Sequence, residues 1–420
     1  MAIRPLTGKT LYSGNGAVVP GSNGAIGRAS TGFRSSWNGN LFAPPPESGC
    51  VMYLPGHPGT GTTITDFSTT LLDVGSAVSD RGGNAGATYT YIDLANPADY
   101  TGYINHIQIW ANQNMTGLKV GTFYLDSGTT YICRDSVTIG SVTAGSAVTF
   151  GDLRIRVVAG DLIGCYFATG GIEWDELGGS GIKAVSGDKT AKGTSTDFGA
   201  TAAGDAISIY ATGVGSYGNN GAITGATYVR LPSGLWVNSF DGTDDVIAVA
   251  DNVTVRVPFD GGGTILVWIN PTGAGESNLG VILGTLSGGT GWLMRGGAIA
   301  GGKIPIVFGQ KFDGDPYEEG TDSAIAPIGS WSFISATYNS GATANRVIIS
   351  LNGAVQASTR SATPTGTRDN TALTLAIGNT SDTSLTFDGK IGLTRILKGK
   401  SLTSAEQSVI YQSERHLYGV

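Results

Sequence analysis

Short runs of β-branched and aromatic residues recur along this chain, and nearly every one stops at glycine, asparagine, aspartate or serine. TILVWIN (264–270), GVILGTL (280–286), IPIVFG (304–309), WSFISATYN (331–339) and LTLAIGN (373–379) are examples. Such runs are too short for ordinary helices and carry the residues that fit a pleated surface, so each reads as a strand and each interruption as a tight turn. The 67 glycines among 420 residues supply many of those turns, and they follow no Gly-X-Y period, which excludes collagen. The expected fold class is therefore all-β, of the β-sandwich or jelly-roll kind. A helical pattern appears only near the C-terminus, where Thr403 and Glu406 form a capping box around the start of AEQSVIYQSERHLYG (405–419).

Charge narrows the partners. The net charge of −7 argues against nucleic acid, because phosphate neutralisation needs a basic surface. Residues 1–46 nevertheless carry Arg4, Lys9, Arg28 and Arg34 and no acid; +4 there leaves −11 for the rest of the chain. Residues 1–48 are expected to form an extended N-terminal arm that docks on an acidic neighbour, another copy of the chain included. MAIRPLTGKTLYSGNG has no apolar leader segment and no run is long enough for a membrane-spanning helix, so the expectation is synthesis in a host cytoplasm without export or membrane insertion. Three scattered cysteines, Cys50, Cys133 and Cys165, are too few for a disulfide framework or a zinc site, and the last two read as small core residues.

GHPGTGTT (56–63) approaches a phosphate-binding loop, but Thr62 stands where the lysine should be, and the ITDFSTTLLDVG that follows is not helical. The stretch reads instead as the turn after a first strand, GCVMYL. In the middle of the chain, YINHIQIWA (103–111) alternates: Tyr103, Asn105, Ile107, Ile109 and Ala111 are expected on one face, Ile104, His106, Gln108 and Trp110 on the other.

Phe240-Asp241-Gly242 with Asp244-Asp245, Trp268, the Trp331…Ala336-Thr337-Tyr338 strand, Asn352-Gly353, Ile377-Gly378, Phe387-Asp388-Gly389 and Leu402-Thr403…Glu406 together resemble the laminin-G-like, concanavalin A-like lectin/glucanase sandwiches. The opening pattern of that family is similar to GCVMYLPGHPGTGTTITDFS, which stops at Ser68, and to YGNNGAITGATYV, which starts at Tyr217. The resemblance implies a discontinuous lectin-like domain of residues 49–68 and 217–420, with residues 69–216 inserted as a second β-sandwich.

Candidate chemistry follows from these placements. Glu173, Trp174 and Asp175 in IEWDELGG form a possible contact site, Trp174 being read as an aromatic anchor at the tip of a glycine-flanked loop. Trp292, after GGTG, is read as lining a rim. Two-carboxylate hydrolysis by Glu173, Asp175 and Glu176 is disfavoured, because Glu176 would point away from the other two on a strand. Asp241, Asp244, Asp245 and Asp388 are oxygen ligands suited to Ca²⁺, and the resemblance implies one structural calcium. The family places an acid after the second Phe-Asp-Gly turn, where this chain has Gly392. The acidic loop FDGDPYEEGTD (312–322) reads as solvated.

Cytoplasmic synthesis combined with an extracellular style of composition matches bacteriophage virion proteins. The expected function is a non-catalytic virion structural protein, a capsid decoration or tail-fibre component. Its expected partners are itself as a homo-oligomer, with trimers implied by resemblance, other virion proteins, and host-surface glycans. A polysaccharide depolymerase on the same scaffold and a cell-surface adhesin are the alternatives.

Overall fold

A computed structural model describes residues 49–54, 62–176, 179–287 and 289–420, together with the backbone of a two-stranded ribbon, Val18–Pro20 and Ile26–Arg28. Arg4, Lys9 and Arg34 lie outside the described residues, as does most of the 56–63 turn; Arg28 ends the ribbon. The described chain is nearly all-β, its strands paired antiparallel throughout, and the one long helix among the described residues is Ser404–Tyr418.

Two facing sheets make up the C-terminal half. In one, the order across the sheet runs Ser358–Ala362, Tyr317–Thr321, Val307–Gln310, Trp292–Arg295, Val281–Gly284, Leu375–Ile377, Val246–Val249, Gly221–Thr224 and Thr63–Ile64. In the other it runs Thr227–Arg230, Trp236–Asp241, Asp388–Lys398, Gly263–Pro271, Ser332–Tyr338, Ile348–Leu351 and Ala354–Val355, with Cys50–Leu54 also paired to Asp388–Lys398. Period-two alternation decides what each strand buries. Ile265, Val267 and Ile269 point between the sheets with Met52, Leu54, Ile282, Met294 and Ile334. Leu266 and Trp268 point the other way, where Tyr53, Phe333, Leu393 and Leu397 form a second apolar layer.

The helix covers that second layer. Its buried positions, Gln407, Ile410, Glu414, Leu417 and Tyr418, recur at three- and four-residue intervals and so share one face. The capping box is formed: the Thr403 side chain accepts from Glu406 N–H and the Glu406 side chain accepts from Thr403 N–H. Gly419 ends the helix in the left-handed region. Tyr418 stacks on Trp268 at 4.1 Å, and its hydroxyl accepts from Leu393 N–H at 2.8 Å. A Cβ on Gly392 would lie 2.4 Å from that hydroxyl, so the acid that the family carries there has no room. Trp268 Nε1 donates to Glu414 Oε2 at 2.7 Å, and Glu414 also pairs with the buried Arg395.

Residues 70–216 build a separate sheet system on the long strand Thr101–Ser127. Their core comprises Leu72, Val74, Ile104, Ile107, Ile109, Val120, Ile163, Phe167, Ile172 and Ile209 among others. Among the described residues, none from 69–216 belongs to the core between the C-terminal sheets. The two connecting segments meet at Asp66, whose buried carboxylate accepts from Tyr53 N–H, Ser68 N–H and Oγ, and Asn219 N–H at 2.8–2.9 Å. Asp66 N–H donates to Asn220 Oδ1 at 2.7 Å, and Ser216 Oγ to Asp66 O at 3.1 Å. Burial pushes the Asp66 carboxyl above the ordinary range despite those donors.

The alternation expected for 103–111 fails at one point. Ile104 and Ile107 are both buried, while Tyr103 and His106 are exposed. The ladder shows why: Thr212 pairs with His106 but Gly213 pairs with Ile104, so Asn105 is the extra residue of a β-bulge. The bulge moves Tyr103 off the core face and Ile104 onto it.

Candidate functional site

Strand Trp236–Asp241 and strand Val246–Val249 are joined by the turn that carries the acidic cluster. Asp241 Oδ1 accepts from Thr243 N–H at 2.9 Å, and Asp245 Oδ2 accepts from Asp241 N–H at 2.8 Å. These local bonds curl the turn so that one carboxylate oxygen from each of Asp241, Asp244 and Asp245 lies within 4.8 Å of the others. Burial, together with the like charges of Asp241 and Asp244, holds the Asp245 carboxyl above the ordinary range. Asp388 faces Asp241 directly across the ladder, with its Oδ1 accepting from Thr272 Oγ1 at 2.5 Å. Three of the four acids expected to hold calcium are thus gathered, and the fourth stands on the adjacent strand. Carboxylate oxygens of this kind suit a hard cation, and they would supply part of the six to eight oxygens that Ca²⁺ takes.

The other expected site residues are placed differently. Trp174 is not at a loop tip. It lies within strand Thr169–Asp175, half-buried against the neighbouring core, with Nε1 donating to Asp205 Oδ2 at 3.0 Å. Glu173 is buried and fully engaged: it accepts from Arg81 N–H and Gly82 N–H at 3.0 Å and from Asn112 Nδ2 at 2.8 Å. Asp175 lies 3.7 Å from Arg81 Nη1. The cluster is a structural knot centred on Arg81, whose Nε also donates to Ser208 Oγ. Sequence reasoning passed over Arg81, because nothing local marks an arginine 92 positions before the glutamate it serves.

Trp292 is a core residue and lines no rim. Only 1% of it is exposed, its Nε1 donates to Val255 O at 3.2 Å, and Phe259 meets it edge-on. The glycines before it turn the chain into strand Trp292–Arg295, which places the ring between the sheets. The 312–322 segment also departs from a solvated loop. Strand Tyr317–Thr321 buries Tyr317 and Glu319, and Glu319 takes hydrogen bonds from Arg346, Ser358 Oγ and Tyr317 OH. Cys50, Cys133 and Cys165 are buried and form no disulfide with one another.

The class of the C-terminal half follows from this geometry: a two-layer antiparallel sandwich with a helix on its outer face. Residues 241–406 match the family model of the concanavalin A-like lectin/glucanases superfamily. Among solved structures, the chain is similar to the binding domain of Paraclostridial Mosquitocidal Protein 1, at 14% identity over 49% of this chain and 52% of that one, with a TM-score of 0.37. It is similar to the botulinum neurotoxin serotype G binding domain at 16% identity, over 47% of each chain, with a TM-score of 0.35. Domain 4 of AbnA, a GH43 extracellular arabinanase from Geobacillus stearothermophilus, solved in complex with arabinotriose, is 19% identical over 46% of this chain and 88% of that one, with a TM-score of 0.35. The chain spans about half the length of the toxin binding domains it matches. No curated protein matches it.

Proposed function

We propose that this chain is a non-catalytic binding protein of a bacteriophage virion surface, with a lectin-like sandwich that engages host-surface glycans and residues 69–216 inserted in one of its loops. The observation that carries the reading is the acidic turn at Asp241, Asp244 and Asp245, set at the edge of a sandwich that matches a lectin superfamily. A divalent cation held by these carboxylates would present open coordination positions to sugar hydroxyls. The engagement of Glu173 by three donors supports a structural role for the acidic cluster of the insert and weighs against the depolymerase alternative. The virion assignment draws on the glycine-rich all-β composition and the basic 1–48 segment.

The test is glycan-array binding by the full chain with Ca²⁺ and with a chelator. Binding that needs Ca²⁺ and falls at least tenfold in Asp241→Asn/Asp245→Asn is expected. Cation-independent binding would remove the acidic turn from the site. Release of reducing sugar from host polysaccharide, lost in Glu173→Gln, would replace the binding reading with the depolymerase.

A further inference from the structure

The β-bulge at Asn105 has a consequence on the outside of the 70–216 region. Four neighbouring strands there, Thr70–Gly75, Ile209–Ser216, the start of Thr101–Ser127, and Ile155–Val157, expose one common face. Directly opposed residues share a face of the sheet, so the ladder defines a row across it: Leu71, Val214, Tyr103, Arg156. Leu71 is 86% exposed, Val214 43% and Tyr103 42%. Arg154, also exposed, lies over the Tyr103 ring at 4.3 Å. A contiguous apolar row of this kind is the sort of patch that on many proteins serves a contact.

Charge along the row runs from one sign to the other. On the Thr70–Gly75 side stand Asp73 and Asp99: Asp99 Oδ1 accepts from Asp73 N–H at 3.4 Å, and Asp73 Oδ2 accepts from Tyr210 OH at 2.7 Å. Arg154 and Arg156 stand on the far side, where the Asp135 carboxylate accepts from Arg156 N–H at 2.8 Å and leaves one positive charge in excess. Acid, apolar centre and base follow in order across about 14 Å, the span of four strands.

We propose that this face pairs with the same face of a second copy of the chain. A two-fold axis lying in the contact plane, parallel to the strands and between Val214 and Tyr103, reverses the order of the row. It sets Val214 against Tyr103 of the other copy, Leu71 along the aliphatic stem of its Arg156, and Asp73 and Asp99 near its two arginines, each contact occurring twice. The opposite axis, across the strands, would set acid on acid and base on base. The strands run three to eight residues where they adjoin, so the face is on the order of 300 Å² per copy, small even for a reversible contact. The inference is independent of the glycan reading, and either can fail without the other.

The test is sedimentation of the full chain over a concentration series. The wild-type mass average is expected to rise toward twice the monomer, while Val214→Asp stays at monomer mass with an unchanged melting curve. Arg156→Glu is expected to dissociate the pair, and the swap Asp99→Lys/Arg156→Glu to restore it. A wild-type chain that stays monomeric, a trimer, or an assembly that survives Val214→Asp, as one held by residues 1–48 would, overturns the proposal. So does a monomeric wild type that binds a polyanion such as heparin through Arg156, which would assign the face to acidic polysaccharides.

Discussion

Both regions of this molecule turn an apolar sheet face away from their cores, and they treat it differently. In the C-terminal sandwich the layer of Tyr53, Leu266, Trp268, Phe333 and Leu393 is covered by the chain's own helix. In the 70–216 region the row of Leu71, Val214 and Tyr103 is bare. The covered face also buries charge, since Glu414 and Arg395 are each about 1% exposed and meet under the helix beside Trp268. Such a pair gains little net stability over an apolar replacement, yet it penalises any other placement of the helix, because each partner would be left buried and unpaired. A covered face is thus specified by polar matching, while the bare one carries no such pair among the described residues.

Four substitutions would break or sharpen that contrast. Glu414→Ala takes the carboxylate from Arg395, leaving it over the Tyr53 ring, and the acceptor from Trp268 Nε1; a loss of about 3–5 kcal/mol in urea unfolding is expected when one member of a buried ion pair is removed. A loss under about 1 kcal/mol would mean that water reaches the guanidinium and that the face is less sealed than the burial of both side chains implies. Gly392→Ala drives a methyl to within 2.4 Å of the Tyr418 hydroxyl, so overpacking of about 1–3 kcal/mol should accompany a weaker Tyr418–Leu393 hydrogen bond, read by hydrogen exchange at the Leu393 amide. Thr403→Ala removes the N-cap acceptor of the covering helix and should lower stability by about 1 kcal/mol, with the loss of exchange protection confined to the first helical turn. Leu71→Ser, on the bare face, should change the stability of the dilute chain by no more than about 0.5 kcal/mol. A larger drop under those conditions would show that Leu71 is already covered within one chain.

The junction between the regions shows how far local sequence reasoning reaches. The turn-rich strand grammar made the all-β class legible, and Asn352-Gly353 announces its hairpin directly: both residues have positive φ, 53° and 81°, as a tight two-residue turn between paired strands requires. The capping box at Thr403 was equally plain, because its two partners are three residues apart. The acids of the 241–245 turn were legible for the same reason. By contrast, Asp66 meets Asn219 and Asn220 across more than 150 residues, and Arg81 meets Glu173 across 92. Trp174 and Trp292 misled because their glycine neighbours look the same whether a turn ends in solvent or leads into a buried strand.

What the sequence determined by itself are the features that close within one turn or one strand: hairpin signals, the helix cap, strand runs such as TILVWIN (264–270), and the acidic turn. Tertiary structure decided the rest. One bulge at Asn105, visible only through its pairing with Ile209–Ser216, sends Tyr103 outward and Ile104 inward. Gly392 is necessary only because a helix that starts twelve residues later lays Tyr418 across it. The physical reason is the same in both cases: a side chain's direction is set by local backbone geometry, but what it meets is set by which distant strand or helix packs there.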